Sequence, residues 1–127
     1  MGYRSTVGAA VPTEKLTKWL EEQNDPEITE FIDDLRKGEQ TAELPEDMGK
    51  LSMTYLYSDY IKWYESDPVI EKFMEFIDCL DHREYGFVRL GEDSDDIETE
   101  GVPYMFDIYL IRGIKFPSFK SQSYKEK

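Results

Sequence analysis

An α+β fold, a two-layer sandwich with helices on one face of a mainly antiparallel sheet, is predicted by three features of this sequence. Leu51 to Tyr64 alternates in the way a long strand does. Val69, Phe73, Phe76, Ile77 and Leu80 recur at helical spacing behind the start signal Asp67-Pro68. Two closing runs, Tyr85 to Leu90 and Pro103 to Arg112, read as the arms of a hairpin with an acidic segment at its tip. The predicted order is β-α(α)-β-α-β-β.

Taken from the beginning, Tyr3 to Val11 carries Val7, Ala9 and Val11 in alternation and predicts a short strand that breaks at Pro12. Gly8 permits close packing there. Thr13 is placed to cap a helix containing Leu16, Trp19 and Leu20. Asp25-Pro26 is a second start, and Ile28, Phe31, Ile32 and Leu35 keep helical spacing until Gly38. Asn24-Asp25-Pro26 permits either one kinked helix or two. Glu39 to Lys50 is polar, contains Pro45 and Gly49, and reads as a loop, the least ordered internal segment.

In the long strand, Leu51, Met53, Tyr55, Tyr57, Ile61 and Trp63 share one parity and are assigned to the core. The other parity leaves Leu56, Tyr60 and Tyr64 as an aromatic stripe, with a bulge or turn expected near Ser58-Asp59. The following helix is expected to end around Asp81 to Glu84. Residues 1–116 read as one domain and 117–127 as a polar tail that frays.

A chain of 127 residues suits one domain, and at this size folding buries roughly 65% of the extended surface. With 39% hydrophobic and 14% aromatic residues, it has the material for a core that a disordered acidic chain lacks. Against that stand 28 Asp or Glu and 15 Lys or Arg, a net charge of -13. Such a field repels nucleic acid and anionic membranes and favours basic partners and divalent cations. No apolar run approaches the roughly 20 residues of a membrane span, and the N-terminus lacks a signal peptide's apolar segment. A cytoplasmic location is the expectation.

Cys79 is the only cysteine, which excludes an intrachain disulfide, and its apolar helical setting predicts a small buried hydrophobe. His82, the only histidine, sits at the predicted helix end and reads as a cap or surface residue. Nucleophile elbow, phosphate-binding glycine loop and zinc motif are all missing, so no catalytic residue is assigned.

The densest feature is Gly91 to Gly101, where Glu92, Asp93, Asp95, Asp96, Glu98 and Glu100 place six carboxylates in a short stretch. Their mutual repulsion is relieved by solvent, by a cation or by a basic partner. Asp93, Asp95, Asp96 and Glu98 are chemically reasonable ligands for Ca or Mg. The spacing departs from the standard calcium loop, because Ile97 stands where an oxygen donor should be. Tyr60 and Tyr64 join the acidic residues as candidate protein-binding groups, since tyrosine couples rigid apolar area to a polar tip.

The opening Met1-Gly2-Tyr3-Arg4-Ser5, the Ile61-Lys62-Trp63-Tyr64 segment and the acidic run from Gly91 to Glu98 together resemble small phage-encoded acidic proteins of unassigned function. The resemblance implies a host-directed inhibitor in the host cytoplasm, including one whose carboxylates imitate nucleic-acid phosphates. The residues themselves favour noncatalytic binding to a basic protein surface, without direct contact to nucleic acid or membrane, and the resemblance implies that this surface belongs to a host nucleic-acid-binding protein. The alternatives are a divalent-cation-binding or metal-assisted enzyme built on the acidic hairpin, and a small structural or oligomeric protein. A homodimer through the aromatic sheet face belongs to the last of these.

Overall fold

The computed structural model describes residues 3–93, 95–110 and 114–117. Strand β1 (Ser5–Pro12) is central, flanked by β3 (Lys50–Ile61) and β4 (Gly86–Leu90), with β2 (Arg36–Glu43) and β5 (Ile97–Gly101) at the edges. All four pairings of this five-stranded sheet are antiparallel. Helices α1 (Thr13–Gln23), α2 (Pro26–Leu35) and α3 (Pro68–Asp78) supply one layer against it. The α+β architecture and the predicted order are therefore present, with β2 added between α2 and β3.

The two helix starts that begin with Asp-Pro form as their chemistry requires. Asp25 accepts a hydrogen bond from the Glu27 amide at 2.9 Å, and Asp67 accepts one from Val69 at 2.9 Å. The proline that follows each needs no amide partner at its position. Asn24, with φ of 48°, ends α1 in the left-handed conformation, which separates two helices where one kinked helix was the alternative.

Thr13 does not cap α1. Pro12 holds that position, and the Thr13 hydroxyl instead shares hydrogen bonds with Thr54 Oγ1 at 2.8 Å and Ser52 Oγ at 3.2 Å on β3. Buried Thr54 thereby finds a partner, which a buried hydroxyl needs.

The helix face of the sheet supplies the larger core, in which Val7, Ala9, Val11, Leu56 and Phe87 meet Leu16, Trp19, Ile28, Ile32 and Phe73. Aromatic rings dominate it. Phe73 lies edge-on to Trp19, Phe31 and Trp63, at centroid distances of 6.3, 5.9 and 6.1 Å. The other face has a smaller cluster in which Ala10, Met53, Tyr55 and Val88 lie under Phe106 and Ile108.

This double covering corrects the parity assignment for the long strand. Between Val7↔Ser58 and Ser5↔Ile61, β3 carries an extra residue relative to β1, and that bulge swaps the faces. Met53 and Tyr55 therefore face away from the helices, whereas Leu56 before the bulge and Trp63 beyond it face toward them. Leu56 is fully buried and belongs to no exposed stripe.

Other expectations are corrected in the same way. The polar segment read as a loop contains β2, which pairs with β3 from Arg36↔Leu56 to Glu43↔Lys50, leaving residues 44–49 as the connection. Helix α3 ends at Asp78, short of Asp81, and Cys79 behind it is exposed, not buried. The last hairpin is tighter than expected, because β4 pairs with β5, which is itself half of the acidic segment. The described part of Pro103 to Arg112 is not one strand: Pro103–Phe106 forms a 3-10 turn, and β6 (Tyr109–Leu110) pairs with β7 (Ile114–Lys115), while Ile111 and Arg112 lie outside the described residues.

Two glycines make this arrangement fit. A side chain on Gly86 would strike the backbone of Pro103, and Gly101 has φ of 72° where the chain leaves β5. The expected fraying beyond Pro117 falls outside the described residues. Among those described, no helix is long and apolar enough to cross a membrane.

Candidate acidic cleft and hairpin

Antiparallel pairing places Arg89 of β4 directly opposite Glu98 of β5, so Nε donates to Glu98 Oε1 at 2.9 Å. Asp96, just before β5, takes the other edge of the guanidinium: Nη2 donates to Oδ1 at 2.7 Å and Nη1 to Oδ2 at 3.2 Å. Nη1 also donates to Ser5 Oγ at 3.1 Å. The guanidinium holds the Asp96 carboxyl below the usual carboxylate range, with the Tyr3 hydroxyl adding to the effect. Two of the six hairpin carboxylates thus bind an internal cation.

The N-terminal segment holds Glu92 by its carboxylate and Asp93 by its backbone amide. The Tyr3 hydroxyl donates to Asp96 Oδ2 at 2.7 Å and accepts from the Asp93 amide at 3.0 Å. The Arg4 amide donates to Glu92 Oε2 at 2.7 Å, while its guanidinium lies 4.7 Å from the centre of the Tyr60 ring. Tyr64 accepts from the Tyr3 amide at 3.0 Å. Tyr60, at 69% exposure, is thus linked to Glu92 through Arg4, and Tyr64 to Asp96 through Tyr3. Asp95 stays exposed at the tip.

Glu100 leads to a different site. Its side chain shares the helix side of β5 with Glu98, and there the sheet edge and α3 enclose a cleft of about 350 Å³. Glu65, Glu71, Glu75, Asp78, Glu98 and Glu100 line it around Ile70 and Met74. Burial raises the Glu100 carboxyl above its ordinary value, and the charges of Asp78 and Glu98 push it the same way. The nearby Tyr85 hydroxyl, which donates to Glu100 Oε1 at 3.4 Å, is itself pushed up to about 12, first by burial and then by that carboxylate.

Sequence reasoning passed over Glu65, Glu71, Glu75 and Asp78. The spacing of the last three, i, i+4 and i+7, was a readable sign of one helix face. Nothing local showed that this face would lie against Glu98 and Glu100, because that depends on where β5 docks.

The proposed ligand set Asp93, Asp95, Asp96 and Glu98 is divided by these contacts, since Asp96 and Glu98 both hold Arg89. Among the described residues, no group of three or more His, Cys, Asp or Glu side chains is disposed to hold a metal ion. His82 is an exposed turn residue with Nδ1 at 3.9 Å from Asp81. No protein-family model matches the chain, and comparison with curated proteins and with solved structures found no match.

Proposed function

We propose that this chain is a noncatalytic binding domain that engages a basic protein surface through the cleft between α3 and β5 and the neighbouring hairpin tip. The observation that carries this reading is the convergence of six carboxylates from α3, β5 and Glu65 on one cleft. Their placement works against local stability. Asp78 stands in the last turn of α3, where the negative end of the helix dipole disfavours an acid, and that turn has no basic residue. A cationic partner relieves both the dipole and the like-charge repulsion, and the partly apolar lining from Ile70 and Met74 offers contacts that salt does not weaken.

In its sharper form, the partner surface is the nucleic-acid-binding site of a host protein. Glu71, Glu75 and Asp78 form a row on one helix face, a one-sided line of negative charge of the kind a phosphate backbone presents. The resemblance to small phage-encoded acidic proteins agrees with that role.

Capture of partners from the native host lysate at two salt concentrations tests the reading. The expected result is a stoichiometric basic protein that is lost when Glu71→Gln, Glu75→Gln and Asp78→Asn are combined. Duplex DNA should compete for that protein if the mimicry is real. No partner at either salt concentration overturns the proposal.

A further inference from the structure

The two edges of the sheet are protected differently. Edge strands expose unpaired backbone groups, and proteins usually blunt them with lysine, proline or a bulge. Strand β2 carries Arg36 and Lys37 and a register shift between Arg36 and Gly38. Strand β5, Ile97-Glu98-Thr99-Glu100-Gly101, has no lysine, proline or bulge, and its only charges are the glutamates, which repel an acidic strand but not a basic one.

Its hydrogen-bonding phase follows from the contacts at its two ends. The Gly91 amide donates to the Asp96 carbonyl, and the Val102 amide donates to the Tyr85 carbonyl. Antiparallel alternation then turns the backbone groups of Glu98 and Glu100 toward β4, and those of Ile97 and Thr99 outward. Among the described residues, Ile97 and Thr99 have no backbone partner outside the β4 ladder.

We infer that this edge accepts an extended basic segment of a partner protein as a sixth strand. The inference rests on the binding role proposed above and specifies how the partner is held. An added strand lies about 4.8 Å beyond β5 and projects alternate side chains to opposite faces. On the helix side those side chains meet Glu98, Glu100 and the acidic face of α3, which selects lysine or arginine at every second position. On the other side they meet Thr99 and Ile97, the latter 46% exposed, which suits β-branched or apolar residues. A second copy of the same edge is disfavoured, because it would set Glu98 and Glu100 against their own counterparts.

The test uses a displayed peptide library of the pattern X-Lys-X-Lys-X-Lys-X at low ionic strength, followed by measurement of the selected peptide in solution. The native chain is expected to bind it, with slowed amide exchange at Ile97 and Thr99. Thr99→Pro deletes an outward donor and leaves the β4 ladder intact, so binding should weaken on the order of tenfold. Thr99→Ala should bind as the native chain does, and far-ultraviolet circular dichroism checks that both variants fold. Equal binding by Thr99→Pro, or by a peptide N-methylated on the residues that face β5, overturns strand addition while leaving the charge-based role standing. Failure of every library member to bind overturns strand addition, whereas the charge-based role falls only if the lysate capture yields no partner. Self-association of the chain that Thr99→Pro abolishes would make a second copy the occupant and likewise overturn the proposal.

Discussion

Glu98 and Glu100 are two residues apart on one strand, yet they experience opposite surroundings. Glu98 is paired with Arg89 at 2.9 Å, whereas Glu100 is partly buried beside Asp78 and Glu98. The folded-state pKa of Glu100 lies above its ordinary value of 4.5, so the native chain holds that proton more tightly than the unfolded chain does. Stability from this group is full below the unfolded pKa and is lost as pH rises through the folded one. Glu100→Gln should therefore raise the melting temperature at pH 7, with the gain fading below about pH 4.5, since glutamine keeps an acceptor for Tyr85 without the charge. Thermal unfolding at the two pH values checks this; an equal shift at both would contradict the assignment. No property of the side chains themselves distinguishes the two glutamates, so their roles were not readable in the sequence.

At the scale of elements, what was legible depended on whether the determining interactions are local. The Asp25 and Asp67 caps act within two residues, and both were readable as Asp-Pro pairs. Replacing either aspartate with alanine should cost about 1 kcal/mol, measurable as a lower urea midpoint with an unchanged slope. Strand β2 was not legible because Arg-Lys-Gly-Glu-Gln-Thr-Ala-Glu has no apolar alternation. It is a strand because its backbone pairs with β3, and its side chains, none of them fully buried, record nothing of that. The bulge near Ser58 was anticipated, but its consequence for which face each residue occupies was not, since a single extra residue inverts every assignment beyond it.

Across the whole molecule, the ring cluster links elements distant in sequence. Phe73 of α3 touches Trp19 of α1, Phe31 of α2 and Trp63 beyond β3, so removing it opens all these contacts together. Phe73→Ala should cost about 3–5 kcal/mol. Tryptophan fluorescence and far-ultraviolet circular dichroism followed in urea should still give coincident transitions, because both tryptophans and all three helices belong to the larger core. Separate midpoints would show that α3 unfolds independently. The same long-range packing aligns the acidic face of α3 with the β5 edge, and the proposed binding role depends on that alignment.

The sequence by itself determined the α+β class, the helical stretches with their two Asp-Pro starts, the first and the long strand, and the excess of negative charge. Each follows from periodicity, short-range hydrogen bonding or composition. Only the tertiary structure decided that Asp96 and Glu98 bind Arg89, that Glu98 and Glu100 meet the acids of α3 in a cleft, that Leu56 is buried and Cys79 exposed, and that β5 is an edge strand among the described residues. Those outcomes depend on strand register and on one layer docking against another. Residues such as Tyr3 and Asp96 or Asp78 and Glu100 become neighbours only through that docking, and no local pattern encodes the distance between them.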